Sequence, residues 1–119
     1  MFALLMGLKT VSPAELLRQV RGQAVTVVDV NSPQRWEAAR VPGAVNLDPH
    51  TYTADRLPAD HAAPLVFYCS NPLCRKAPQA ARRAKAMGYD NVRVMAAGIS
   101  GWLDAGMPVE SGTAAVTSG

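Results

Sequence analysis

The chain has 119 residues, 49% of them hydrophobic and 18% charged, with a formal net charge of +3 and a pI near 9.2. Its length and composition are typical of one globular domain with a core of its own. Two cysteines are too few for the disulfide framework of a small secreted domain. The charge fits small anionic ligands or weak electrostatic steering. It does not by itself indicate nucleic acid, because the basic residues are not interleaved with exposed aromatics.

The first eight residues are apolar, but this run ends at Lys9. It lacks the charged start, the length and the cleavage site of a signal peptide, and it is too short to cross a bilayer. We therefore expect a cytoplasmic protein that does not contact a membrane. Thiols stay reduced in that compartment unless chemistry uses them.

A helix and a strand are predicted next along the chain. Ser12 can cap a helix, Pro13 suits the first helical position, and Glu15 has the spacing of a capping box. Gly22 ends this helix. The β-branched run over 25–30 then predicts a strand that is covered on both faces.

The rest of the chain alternates between the same two kinds of element. The predicted elements are a short helix over 31–39, a turn and short strand over 41–47, a polar connection over 48–64, a strand over 65–68, a helix over 76–87, a strand over 92–95 and a helix over 98–105. Alternating strands and helices predict an α/β domain with a mostly parallel sheet, in which ligands bind beyond the carboxyl ends of the strands. We assign residues 1–110 to this domain and 111–119 to a flexible tail.

Both cysteines lie in the loop that follows the strand over 65–68. Cys69 comes directly after the strand, and the next helix begins close to Arg75. The N–H groups of the helix start favour a thiolate and an anion beside it, as do the charges of Arg75 and Lys76. Cys69 is therefore the candidate nucleophile, the alternative being a cysteine that is simply buried at a strand end. The candidate substrate-binding residues are Ser70, Asn71, Leu73, Cys74, Arg75 and Lys76.

The role of Cys74 is left open by the sequence. It could resolve a reactive Cys69 as a disulfide, or it could pack at the base of the loop. A disulfide requires the two Cβ atoms to lie within a narrow range, and Pro72 makes the necessary bend either preformed or forbidden. We expect it to be forbidden. We expect no metal and no cofactor, because His50 and His61 lack the spacing of metal ligands.

Several stretches together resemble one known family. They are Val-Val-Asp-Val at 27–30, Trp-Glu at 36–37, Val-Pro-Gly-Ala-Val-Asn-Leu at 41–47, Val-Phe-Tyr-Cys at 66–69, and the closing segments 88–92, 98–102 and 105–109. In order and spacing they resemble a single-domain rhodanese, a sulfurtransferase module, over nearly the whole ordered length.

This resemblance implies an open five-stranded, mostly parallel sheet that is flanked by helices on both faces. It also implies a persulfide on Cys69. Thiosulfate, or a similar anionic sulfur donor, would be attacked at its outer sulfur and would release sulfite, and the sulfur would pass to cyanide or a thiol. The loop N–H groups would hold the donor and stabilise the persulfide. No protein partner is implied, and we expect a monomer.

Four positions depart from the family pattern. Arg40 replaces the usual His before Val-Pro-Gly, Asn31 replaces an Arg, and Ala97 replaces a Gly. These three look like supporting positions, which bear on stability more than on chemistry. The fourth departure is the loop from Cys69 to Arg75, which has seven residues where sulfurtransferase loops typically have six.

The longer loop leaves two alternative functions open. A Cys-x5-Arg loop resembles the phosphatases of the cell cycle and the arsenate reductases, whose larger pocket fits a tetrahedral oxyanion. Pro72 removes an N–H group that such a pocket needs, and Leu73 is bulky where those loops have small residues. The other alternative is a dithiol redox relay that uses Cys69 and Cys74.

Overall fold

The fold was obtained as a computed structural model, which describes residues 7–113. The strands in that range are β1 (Lys9–Thr10), β2 (Thr26–Asp29), β3 (Val45–Asn46), β4 (Leu65–Tyr68) and β5 (Val92–Val94). The helices are α1 (Pro13–Arg21), α2 (Pro33–Ala38), α3 (Lys76–Ala86) and α4 (Gly98–Asp104), with a 3₁₀ turn at Ala54–Arg56.

The start of α1 forms as its sequence predicts. The Ser12 Oγ accepts a hydrogen bond from the backbone N–H of Glu15 at 3.1 Å, and Pro13 occupies the first turn. The carboxylate of Glu15 pairs with Arg18 on the exposed side of the helix. Gly22 is the C-terminal cap of the helix, and its N–H donates to the Arg18 carbonyl at 3.0 Å. Local sequence signals therefore determine both ends of α1.

The strands pair in the order β1-β5-β4-β2-β3, and every pair is parallel. The central strand β4 is buried along its whole length. Its side chains alternate between two core clusters: Phe67 packs in the cluster that contains α3, and Val66 packs in the cluster that contains residues of α1 and α4. Helices therefore cover both faces of the sheet. The predicted five-stranded α/β fold is confirmed.

The residue pattern missed β1, the only strand among the described residues that it did not predict as an element. Lys9 and Thr10 are exposed and pair with Arg93 and Val94 at one edge of the sheet. Two exposed residues carry no alternation of polarity, so their pattern cannot indicate a strand. The strand exists because the neighbouring backbone of β5 offers hydrogen-bond partners.

The predicted domain ends at residue 110, but Gly112 still contacts it in the structure. The N–H of Gly112 donates to the Glu37 carbonyl at 2.8 Å, and the Gly112 carbonyl accepts from the Arg40 guanidinium at 2.9 Å. Residues 114–119 lie outside the described range, so the flexible tail stays a prediction. In the described part of the chain, no helix is long and apolar enough to span a bilayer.

Candidate active site

The cysteine loop lies at the carboxyl end of β4, between that strand and α3. Cys69 continues the alternation of β4 toward the α3 side and is only 3% exposed. The Cys69 carbonyl accepts a hydrogen bond from the N–H of Ile99 at 2.9 Å, and the Ser70 carbonyl accepts one from Ser100 at 2.9 Å. The first turn of α4 thus fixes the backbone on which the candidate nucleophile stands.

Gly98 permits this close approach between α4 and the loop. Its φ angle is +68°, a conformation that side chains disfavour. A Cβ atom at this position would lie 2.6 Å from both the Ser70 carbonyl carbon and the Asn71 nitrogen. Since these contacts are with backbone atoms, no side-chain rotation could relieve them.

A tight turn shapes the middle of the loop. The Asn71 carbonyl accepts the N–H of Cys74 at 3.1 Å, and the Asn71 side-chain oxygen accepts the N–H of Leu73 at 2.9 Å. Pro72 occupies the second position of this turn, where its fixed φ angle is favourable. The turn returns the chain toward the end of β4.

This turn joins Cys69 and Cys74 in a disulfide, with their Cα atoms 6.4 Å apart. Our expectation that Pro72 forbids this pairing was wrong. The proline stabilises the bend because it stands at the position of the turn that suits it, rather than at one that requires an N–H group. Cys74 therefore contacts the candidate nucleophile directly.

The remaining predicted site residues are brought into the same loop but face different surroundings. Ser70 is half-buried and donates its hydroxyl to the Asn31 side-chain oxygen at 2.7 Å. The side chain of Leu73 is 79% exposed, at the tip of the turn. Arg75 and Lys76 are exposed at the start of α3.

Positive charge dominates the electrostatics on the α3 side of the loop. The first turn of α3 contains no acidic residue. The first N–H groups of a helix have no acceptor within it, so this end favours a thiolate and an arriving anion. By contrast, the N–H groups of Leu73 and Cys74 already donate to Asn71. These two N–H groups are therefore already used within the turn, whereas the basic side chains of Arg75 and Lys76 are exposed at the start of α3.

A pocket of about 10 Å³ lies beside the disulfide, between the loop, the first turn of α3 and residues 94–96. This volume is close to the smallest that holds a single water molecule. A donor of the size of thiosulfate does not fit inside it while the disulfide is closed. The closed disulfide also leaves Cys69 without a thiolate that could attack such a donor.

Asn31 supports the loop in a way that the residue pattern did not reveal. It is buried at the end of β2, where its N–H donates to the Asp29 carboxylate at 2.8 Å and its carbonyl accepts from the Asn46 side chain at 2.9 Å. Its side-chain oxygen accepts from Ser70. One feature of the sequence could have indicated this role. Asn31 directly follows a predicted strand, and parallel strands end at the same edge of a sheet, where the cysteine loop also lies.

A second polar cluster is buried next to the loop. The Tyr68 hydroxyl donates to Asp29 Oδ2 at 2.6 Å and accepts the N–H of Val41 at 3.0 Å. Burial raises the pKa of Asp29 above its usual value, although these hydrogen bonds and the charge of Arg40 oppose the shift. Burial and the neighbouring Asp29 charge raise the pKa of Tyr68 far above its usual range. Neither group faces the cysteines.

Arg40 completes the support on this side of the sheet. It is buried, with its guanidinium 3.9 Å from the centre of the Trp36 ring and donating to the Trp36 carbonyl at 3.1 Å. It also lies 3.7 Å from the Glu110 carboxylate. These contacts join α2 to the last described residues, which agrees with a supporting position rather than a catalytic one.

Comparison with known proteins identifies the family. Residues 12–105 match the profile of the family described as Rhodanese-like domain. The chain belongs to this rhodanese-like family. The match covers the cysteine loop and every described element except β1.

Three relatives illustrate the range of this family. The HTH-type transcriptional regulator Rv0324 of Mycobacterium tuberculosis is 37% identical over 103 residues, which cover 86% of this chain but only 45% of the regulator. The thiosulfate sulfurtransferase GlpE of Pseudomonas syringae is 30% identical over 76% of this chain and 83% of its own length. A solved structure described as rhodanese with anions from E. coli is 27% identical, with a TM-score of 0.61, over 75% of this chain and 100% of that one.

Proposed function

We propose that this rhodanese-like protein is a sulfurtransferase that carries a sulfane sulfur as a persulfide on Cys69. The observation that carries the proposal is the position of Cys69, buried at the end of the central strand and followed within one loop by Arg75, Lys76 and the start of α3. The relative from Pseudomonas syringae bears the name thiosulfate sulfurtransferase. Thiosulfate is accordingly the proposed donor.

The reaction begins from the reduced loop, because a disulfide leaves no thiolate for attack. The start of α3 stabilises the Cys69 thiolate, and Arg75 and Lys76 attract the dianionic donor. The thiolate attacks the outer sulfur of thiosulfate. The bond between the two sulfur atoms of thiosulfate breaks, and its electron pair leaves with sulfite. Cys69 then carries one additional sulfur.

The second half of the reaction returns Cys69 to its thiolate form. Cyanide or an acceptor thiol attacks the outer sulfur of the persulfide, and the Cys69 sulfur is the leaving group. Ser70 and Asn71 hold the loop in shape during both steps through their bonds to Asn31 and to the turn. The proposed substrate-facing surface also includes Leu73, which is exposed at the tip of the turn.

The geometry gives less support to an oxyanion enzyme. Such an enzyme surrounds its substrate with N–H groups from the loop. Pro72 has no N–H group, and those of Leu73 and Cys74 donate to Asn71. Hydrolysis of an aryl phosphate would be the result that favours this alternative.

The test is to load the reduced protein with thiosulfate in the absence of oxygen. We expect release of one sulfite per chain and, at early times, a gain of one sulfur atom in intact mass that cyanide removes. Cys69→Ser should release no sulfite and gain no sulfur, because an alcohol is a far poorer nucleophile than a thiolate at neutral pH. Sulfite release that is equal in wild type and Cys69→Ser, or absent from both, would contradict the proposal.

A further inference from the structure

The fold brings the sulfur of Cys74 to the sulfur of Cys69, on which the persulfide would form. The Cα atoms of the two cysteines lie 6.4 Å apart, within the range usual for disulfides. The Ile99 N–H holds the Cys69 backbone, while the hydrogen bond from Cys74 to Asn71 closes the turn. The backbone contacts of the loop therefore place the two cysteines within bonding reach of each other.

The same geometry gives Cys74 an advantage over an external thiol. Cys69 is buried, whereas Cys74 is half-buried and lies nearer the surface of the loop. An acceptor from solution therefore finds little accessible surface at Cys69. A neighbouring thiol on the same loop avoids the entropy cost of a bimolecular encounter, which makes intramolecular attack strongly favoured.

We propose that Cys74 resolves the Cys69 persulfide, so that the protein releases sulfide and forms the Cys69–Cys74 disulfide. This inference rests on the proposed sulfur loading of Cys69. The Cys74 thiolate attacks the Cys69 Sγ, and a new bond forms between these two sulfurs. The bond from Cys69 Sγ to the outer sulfur breaks, and the outer sulfur leaves with the electron pair as hydrosulfide.

The two steps together balance without any further reagent. One thiosulfate and two cysteine thiols give one sulfite, one hydrogen sulfide and one disulfide. The two cysteines supply the two electrons that reduce the sulfane sulfur, and their two protons leave with the sulfide. A dithiol reductant then reopens the disulfide for another cycle by thiol–disulfide exchange. The protein would act as a reductase of sulfane sulfur in addition to transferring it.

The experiment compares wild type with Cys74→Ser and Cys74→Ala after reduction, removal of reductant and anaerobic addition of thiosulfate. Sulfite reports the loading of Cys69, whereas sulfide and the count of free thiols report the action of Cys74. We expect wild type to release about one sulfide per chain and to lose both thiols. Both variants should instead accumulate the Cys69 persulfide and release at least about tenfold less sulfide.

Each other outcome overturns the inference. A stable Cys69 persulfide beside a free Cys74 in wild type would exclude resolution while leaving sulfur loading intact. A sulfur atom located on Cys74 by fragmentation, without sulfide release, would show transfer between the cysteines instead. Equal sulfide release from wild type and both variants would assign it to another route. If no protein releases sulfite, the loading step and this inference both fail. Wild type without thiosulfate must keep both thiols, which controls for oxidation by air.

Discussion

The carboxyl ends of the neighbouring strands β2 and β4 lie at the same edge of the sheet, but they form different kinds of site. At the end of β2, both oxygens of the Asp29 carboxylate accept hydrogen bonds, from Tyr68 and from the N–H of Asn31. At the end of β4, the backbone of Cys69 and Ser70 is held by α4, while the cysteine sulfurs lie under a loop that reaches the surface. We call these the Asp29 cluster and the cysteine loop.

The difference shows how a fold separates support from chemistry. In the Asp29 cluster the side chains bond one another, so they are not available to a ligand. In the cysteine loop the backbone bonds provide the rigidity, and the charged side chains of Arg75 and Lys76 stay at the surface. Buried, satisfied polar groups specify a structure, whereas a reactive group requires access and a stabilising charge nearby.

The largest expected effect is that of Gly98→Ala, which disrupts the backbone contacts that support the cysteine loop. The new Cβ would collide with Ser70 and Asn71 in addition to adopting an unfavourable φ angle. Gly106→Ala is the matched control, since Gly106 has a φ of +73° but no atom within 4 Å of the added Cβ. We expect Gly98→Ala to lower the free energy of unfolding by about 2 kcal/mol more than the control.

Sulfite release separates this effect from general instability. Under conditions in which both variants are folded, Gly98→Ala should slow sulfite release by about tenfold or more, because a shifted loop misplaces Cys69. Gly106→Ala should release sulfite as wild type does. Equal losses of stability in the two variants would show that the close approach of α4 does not matter.

Tyr68→Phe attacks the Asp29 cluster and leaves the cysteine loop in place. It removes the hydroxyl that donates to Asp29 and accepts the N–H of Val41. Two buried polar groups therefore each lose a hydrogen bond. We expect urea unfolding to show a loss of about 1–3 kcal/mol, with sulfite release unchanged. Tyr52→Phe is the control and should cost less, because within residues 7–113 the Tyr52 hydroxyl has one hydrogen-bond partner, the Ala80 carbonyl. If folded Tyr68→Phe released sulfite more slowly than wild type, the Asp29 cluster would also support the chemistry of the cysteine loop.

Arg75→Ala sharpens the comparison at the cysteine loop. We expect the reaction of Cys69 with anionic thiosulfate to slow about tenfold, and its alkylation by neutral iodoacetamide to change by less than about twofold. In the proposed mechanism the arginine attracts the donor, while the start of α3 stabilises the thiolate without it. Lys85→Ala removes one positive charge from the far end of the same helix. Equal slowing with both reagents, or the same effect from Lys85→Ala, would contradict a local role for Arg75.

The smallest expected effect is a pH dependence of stability that originates in the Asp29 cluster. Burial raises the pKa of Asp29 in the folded protein above its unfolded value. The folded state then holds the proton more tightly, so this contribution to stability is complete below the unfolded pKa and is lost as pH rises through the folded pKa. The free energy of unfolding of wild type should increase relative to Asp29→Asn as the pH falls from about 7 to about 4.5. A constant difference between the two proteins across this range would contradict the shift.

Residue patterns alone predict the elements that local contacts define. The Ser12 cap and Pro13 predict the start of α1, because a cap bonds a residue three positions along the chain. The β-branched run at β2 and the apolar run at β4 predict buried strands because their composition records burial on two faces. The position of Cys69 between a strand and a helix could be predicted because both of these neighbouring elements have such local signals.

The way in which the elements support the loop depends on contacts between residues that are far apart in the sequence. Asn31 bonds Ser70 across 39 positions of sequence, and Tyr68 bonds Asp29 across the same separation. Gly98 matters because two distant backbones meet there. The pairing of Cys69 with Cys74 depended on which position of the turn Pro72 would occupy. That position is set by the direction in which the chain leaves β4 and enters α3, and a direction in space has no signature in residue spacing.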